Sequence, residues 1–312
     1  GDNQYGKGKV VWGMLAREYL LSTGTPADFD IIENDSKTDF DYIHYKIGEN
    51  DVYFVANQTT ERQKINAGFR ISGKKPELWD ALTGEIRNAT AFRQKNGLTT
   101  VPLTFEPYGS VMVVFSTKIG EKQQGTDLRN YADFETLKEI TGQWTVNFDP
   151  QWGQFDSTPG AKPGEFKFPH LMDWTKHPHE GIKYYSGDAV YKKNFTIDIE
   201  LEEPNKYYVQ LGSVKDVGMA EIKINGKDKG VVWTPPFRIE ISKELQKGVN
   251  TLEIKVINSW HNRVAGDEMS TNKKKFTQTN INLSHDFRGR PIDDIPLEPS
   301  GLLGPVLITR SL

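Results

Sequence analysis

The chain contains no cysteine, which removes disulfide scaffolds, thiolate metal centres and thiol nucleophiles together. That absence leaves the compartment open, because a cysteine-free chain suits oxidising and reducing surroundings alike. No run approaches the roughly 18 consecutive apolar residues of a membrane-spanning helix. Neither sign of charge dominates: 39 Lys and Arg stand against 42 Asp and Glu, a net −3, which gives no reason to expect nucleic acid or anionic lipid as a partner. Two catalytic motifs also fail. Gly6-Lys7-Gly8-Lys9 is followed by Val10 and a strand pattern, where a phosphate-binding loop needs Ser or Thr and a helix. No Gly-x-Ser-x-Gly elbow occurs for a serine nucleophile. The opening Gly1-Asp2-Asn3-Gln4 has neither an initiator Met nor an apolar leader and reads as the interior of a longer chain.

What is present is β-structure. At 312 residues the chain exceeds the usual size of one hydrophobic core, so two domains are expected. Residues 1–30 read as a strand and a helix, the helix over Met14–Ser22 ending at Gly24 and Pro26, and suit the tail of a preceding α/β domain. From Asp41 the apolar period becomes two. Tyr42–Ile47 and Val52–Asn57 form strands around Gly48-Glu49, and further strands follow to Ser116, separated by Gly-containing turns. Residues 31–118 are therefore read as a first antiparallel β-sandwich. The polar tract around Gly120–Gly125 marks a linker over 119–134. A second alternating pattern, with Asn225-Gly226 as a hairpin turn, fills 135–312. The fold class expected is all-β: two antiparallel sandwiches with a short N-terminal strand-helix remnant. The tracts 149–187 and 261–300 are too long for simple connections and suit binding or interface loops.

An ordered series in the second domain resembles the galactose-binding-like, sugar-binding jelly rolls of large glycoside hydrolases. It runs Ser186–Phe195, Tyr208–Val214, Ala220–Lys227, Pro236–Ile241 and Leu245–Ile254. A closer resemblance is to the multidomain alpha-L-rhamnosidases of glycoside hydrolase family 106. Asn258-Ser259-Trp260-His261-Asn262-Arg263-Val264-Ala265-Gly266-Asp267 and Pro299-Ser300-Gly301-Leu302-Leu303-Gly304-Pro305-Val306 look like that group's C-terminal signature. Asp51–Gln58, Pro76–Asp80 and Phe105–Ser110 look like the sandwich behind its catalytic barrel. The resemblance implies that the catalytic acids lie on an N-terminal barrel absent here, so no catalytic residue is assigned. It also implies an exported protein of the bacterial periplasm or cell surface whose partners are that missing domain and a plant or host polysaccharide.

Glycosidases need two carboxylates at a set separation. Asp267-Glu268, Asp293-Asp294 and Glu298, in the long C-terminal loop, are the available candidates, against the plainer reading of solvated loop carboxylates. His177-Pro178-His179, with His170 nearby, has metal-ligand chemistry but lacks a complete ligand set. No cofactor is assigned, although structural calcium on carboxylates and loop carbonyls suits a jelly roll. For sugar contact the candidates are Trp174, Trp233 and Trp260 as stacking rings, with Arg263 and Asp267 beside them. The plainer alternatives are that the rings fill the core and that Arg263 and Asp267 form an ion pair holding the loop. Trp12, Trp79 and Trp144 are expected to be structural. Two further functions compete with a supporting role beside a catalytic barrel: an independent carbohydrate-binding module, and a structural or adhesive exported protein.

Overall fold

The computed structural model describes residues 1–32, 38–153, 155, 162–215, 218–269, 275–285 and 295–312. The chain divides into two compact units, Gly1–Ala132 and Asp133–Leu312, each built from antiparallel sheets.

The first unit opens with a hairpin, β1 (Asp2–Tyr5) and β2 (Gly8–Val11), whose strands pair with each other. Helix α1 (Ala16–Ser22) follows, its start held by Glu18, which accepts the Leu15 N–H at 3.0 Å. None of its residues is buried. The residues read as an α/β tail thus form an antiparallel hairpin and a surface helix. Trp12, expected to be structural, is 55% exposed. Strand β3 (Phe29–Ile32) joins the sandwich proper. There follow β4 (Phe40–Ile47), β5 (Asn50–Asn57), β6 (Gln63–Phe69), β7 (Lys74–Trp79), β8 (Ile86–Asn88), β9 (Arg93–Lys95), β10 (Leu98–Phe105) and β11 (Ser110–Lys118). One sheet has the order β3-β6-β10-β9 and the other β4-β5-β11-β7-β8. Alternation puts Tyr53, Val55, Val113, Phe115 and Leu78 on the inner face of the larger sheet, where they meet Phe69, Val101 and Leu103. Phe69 lies edge-on to Tyr53 at 4.8 Å. Each fully buried side chain of this size contributes about 1.5–3 kcal/mol.

The 119–134 segment was expected as an exposed linker, yet up to Asn130 it is bonded to the first unit. Gln94, buried, donates through Nε2 to the Gly120 and Gln123 carbonyls and accepts the Gly73 N–H. The Gln124 side chain bonds both backbone groups of Gln94, and Asn130 bonds both backbone groups of Ala91. Three side-chain amides thus replace the missing strand ladder, and polar composition here signals satisfied backbone, not slack chain.

A charged cluster links β4, β5 and β7 of the larger sheet to Asp28. His44 lies parallel to Tyr53 at 3.9 Å, with Nδ1 3.0 Å from Asp28 and Nε2 3.2 Å from Asp51. Lys74 donates to the other oxygen of Asp51 at 2.6 Å.

The second unit contains β12 (Phe134–Glu139), β13 (Trp144–Phe148), β14 (Glu165–Phe168), a 3-10 turn at Trp174–Lys176, α2 (Glu180–Lys183), β15 (Asp188–Ile197), β16 (Tyr207–Gln210), β17 (Ser213–Lys215), β18 (Met219–Ile224), β19 (Lys227–Val232), β20 (Arg238–Glu240), β21 (Gly248–Ile257), α3 (His261–Met269), β22 (Gly301–Gly304) and β23 (Leu307–Ser311). A six-stranded sheet, β14-β13-β15-β21-β18-β19, faces a four-stranded one, β12-β23-β16-β20. Trp144, Val146, Tyr191, Ile222, Ile254 and Val256 fill the space between them with Tyr207, Val209 and Ile308. The Asn225-Gly226 turn between β18 and β19 has both residues at positive φ, as a two-residue hairpin demands. Asn225 does more than turn the chain: it donates to Asn250 Oδ1 and accepts the Thr251 N–H, both at 2.8 Å, locking this hairpin to β21.

Burial pushes the Asp51 carboxyl up, but the bonds from Lys74 and His44 outweigh burial and hold it below its ordinary value of 3.8. A depressed carboxylate stabilises the fold above its unfolded pKa, and that stabilisation is lost as pH falls through the lower folded value. The melting temperature of the first unit is therefore expected to fall on acidification below about pH 4, and Asp51→Asn should flatten that acid limb in a pH series of thermal melts. An unaltered acid limb in the variant would exclude Asp51 as its source.

Candidate glycan-contact rim and the lock beneath it

Five strand ends of the six-stranded sheet come together at one edge. The registers place Phe148 of β13 opposite Ala189 of β15, Asp188 opposite Ile257 of β21, Ile257 opposite Met219 of β18, and Ala220 opposite Val232 of β19. The chain leaves these ends through Trp152, Trp260 and Trp233. Trp260 is 47% exposed and meets the half-buried Trp152 edge-on at 4.8 Å. Trp233 is 58% exposed and leaves the sheet two strands away from Trp260, a separation of about 10 Å at the strand ends.

Trp174 is not part of this rim. It is completely buried, its Nε1 donating to Tyr191 Oη at 2.5 Å, and it packs edge-on against Phe148 and Tyr185. Room for the ring comes from Gly301, where an added Cβ would lie 2.5 Å from the indole. Trp174 is therefore core, and the expectation of a stacking ring there is corrected.

Arg263 and Asp267 are also buried, at 5% and 4% exposure. They lie one turn apart on α3 with Arg263 Nη2 3.2 Å from Asp267 Oδ1. The guanidinium also covers the Phe276 ring at 4.5 Å. Burial pulls Arg263 below its usual pKa, against the opposing pull of Asp267. The second oxygen of Asp267 accepts the N–H groups of Phe276 and Thr277 and the Thr277 hydroxyl, at 2.7–2.9 Å. Glu268 accepts the N–H groups of Leu283 and Ser284. Arg263 and Asp267 are thus buried beneath the rim and hold the long loop to α3. The same use removes Asp267-Glu268 as a free catalytic pair. Asp293-Asp294 lie outside the described residues, and the Glu298 side chain is exposed.

The rest of the signature is a buried polar knot. Asn258 accepts the Gly187 N–H and donates to the Tyr185 carbonyl, both at 2.9 Å. Asn262 accepts the Glu298 N–H and donates to the Glu298 carbonyl and Ser300 Oγ. The Ser300 N–H donates to Asp173 Oδ1 at 3.1 Å, and Asp173 also caps the turn that carries Trp174. Spacing suggested none of this, because the partners lie up to 127 residues apart. The histidines are used locally: His177 Nδ1 accepts the His179 N–H, and His179 Nδ1 accepts the Gly181 N–H at the start of α2. His177 stacks on Phe168 at 5.3 Å, and burial lowers its pKa. Among the described residues no cluster of three His, Cys, Asp or Glu side chains could hold a metal.

A family model described as alpha-L-rhamnosidase, glycoside hydrolase family 106, matches residues 1–94. The solved structure of the rhamnosidase from Novosphingobium sp. PP1Y matches 99% of this chain at 31% identity with a TM-score of 0.81. By both comparisons this chain resembles the family 106 glycoside hydrolases. It spans only 27% of that rhamnosidase. A Formosa agariphila protein named "Putative beta-glucuronidase" is 37% identical over 130 residues, 41% of this chain and 10% of its own length. The signature by which the chain resembles family 106 is thus built of residues that seal a loop, with Trp260 its one exposed ring.

Leaving Arg263 buried without its carboxylate should be costly. Asp267→Ala is expected to destabilise the second unit by about 3–5 kcal/mol, and Arg263→Met/Asp267→Leu by clearly less, because the double variant strands no charge. Denaturant melts of both variants check this. A double variant as unstable as Asp267→Ala would show that the loop contacts of Asp267, not its ion pair, carry the stability.

Proposed function

We propose that this chain is the non-catalytic, C-terminal β-sandwich portion of an exported family 106 glycoside hydrolase, supporting a catalytic barrel elsewhere in the same polypeptide. The observation that carries this reading is the match to a rhamnosidase over 99% of this chain but 27% of that protein. The use of Asp267 and Glu268 to hold backbone groups supports it, because hydrolysis requires two carboxyl groups facing one sugar. The second unit, two antiparallel sheets with long loops at one edge, is read as a galactose-binding-like jelly roll. Sugar contact belongs on its rim, with Trp233 the stacking ring and Trp260 beside it, because these two stand exposed where Trp174 does not.

On this reading the chain alone turns over no aryl-rhamnoside and no member of a glycan panel. Turnover that disappears when a carboxylate of this chain is replaced would place the active site here and end the proposal. For the rim, Trp233→Ala is expected to leave the melting temperature unchanged and to weaken glycan binding by on the order of 1–3 kcal/mol, read by titration calorimetry of wild type and variant. A large drop in melting temperature would return Trp233 to the core.

A further inference from the structure

The outer face of the larger sheet in the first unit has the wrong chemistry for water. Register places Ile43, Phe54, Met112, Trp79 and Ile86 side by side across all five strands, one from each of β4, β5, β11, β7 and β8. They alternate with the inward-facing Tyr53, Val113 and Leu78, so this row points away from the core. The neighbouring row begins Tyr45, Val52, Val114. Ile43, Tyr45, Ile47 and Ile86 are 51%, 54%, 65% and 60% exposed.

Other outward faces of the same chain are built differently. The six-stranded sheet of the second unit carries Lys192–Glu253 and Lys255–Glu221 ion pairs across its strands. The smaller sheet of the first unit sets Lys64 and Asn66 opposite Thr104 and Pro102. A sandwich sheet facing solvent alternates apolar-in with polar-out. Unlike these two faces, the five-stranded sheet departs from this across its whole width, and contiguous apolar surface of that kind marks an interaction site.

The chemistry of the face selects a protein. Glu77, in the middle of this face, is already satisfied: Oε2 accepts Trp79 Nε1 at 3.0 Å and Oε1 accepts Ser116 Oγ at 2.7 Å, while Asp41, the other carboxylate on the face, stands exposed near the start of β4. Glu77 can therefore be covered without a new partner for its charge, whereas a glycan would find few free polar groups there for its hydroxyls. Four of the five strands lie within residues 1–94, the part matched by the rhamnosidase family model. In the matching rhamnosidase 73% of the polypeptide, the remainder of the 27% covered, lies outside the matched part. We infer that the Ile43–Phe54–Met112–Trp79–Ile86 face is the seat of a folded apolar surface from the rest of the hydrolase polypeptide. This rests on the reading of the chain as one portion of a larger enzyme.

The test is hydroxyl-radical footprinting of this chain alone and of the complete polypeptide, read by mass spectrometry at Tyr45, Trp79 and Met112. Oxidation at these three positions is expected to slow several-fold in the complete polypeptide. A companion variant, Ile43→Lys/Ile86→Lys, should leave the melting temperature of this chain alone unchanged but lower that of the complete polypeptide. Equal oxidation of the three residues in both forms, with protection at other positions, would overturn the assignment of this face and leave the larger-enzyme reading intact. Equal oxidation at every position would remove both. A dimer of this chain in sedimentation that the double variant dissolves would name a second copy as the occupant and overturn the inference.

Discussion

Ser300 is completely buried where four segments of the second unit meet, and the loops around it depend on its bonds. Its N–H is held by Asp173, its carbonyl by the Trp174 N–H, and its hydroxyl bonds Asn258, Asn262 and the Glu298 carbonyl. Each of these groups would cost about 1–3 kcal/mol if buried without a partner. The knot therefore has one low-energy arrangement. Through it β21, α3, the turn at Trp174 and the return into β22 become one body.

Several features follow from that body. With the backbone fixed at Ser300, Gly301 lies against the Trp174 indole and the Leu302 N–H reaches Tyr191 Oη, so the core closes over the largest ring in the loop. With α3 fixed, its Arg263-Asp267 pair and Glu268 reach outward along the chain and anchor residues 276, 277, 283 and 284. Trp260, at the junction of β21 and α3, is left outside. Conserving space for one buried tryptophan and exposing another are two results of the same bonds.

The strands were legible because alternation and turn chemistry are local. The alternating stretches Tyr42–Ile47 and Val52–Asn57 fall within β4 and β5, each of which begins two residues earlier. The family resemblance was legible too, as an ordered set of segments. What escaped were properties that depend on distant partners. A tryptophan between Asp173 and Thr175 in a Gly- and Pro-rich tract looks exposed, and only Gly301, far along the chain, makes room to bury it. Gly120, Gln123 and Gln124 look like slack chain until Gln94 is found bonded to them. Arg263 and Asp267 could be paired by their i,i+4 spacing, but their burial could not be read without the loop that returns over them. Strand β4 was placed correctly, while the apolar row it begins needed the registers of four neighbouring strands.

The central claim is that the segment by which this chain resembles family 106 holds a structure, as the proposed supporting role requires. Asn262, whose amide joins α3 to the Glu298–Ser300 return, tests it most directly. In the complete polypeptide, which we propose to be a glycoside hydrolase, carrying Asn262→Ala, activity per molecule should be measured beside the folded fraction at each temperature. The account predicts a lower melting temperature with kcat per folded molecule unchanged. A kcat that falls a hundredfold while the melting temperature holds would contradict it.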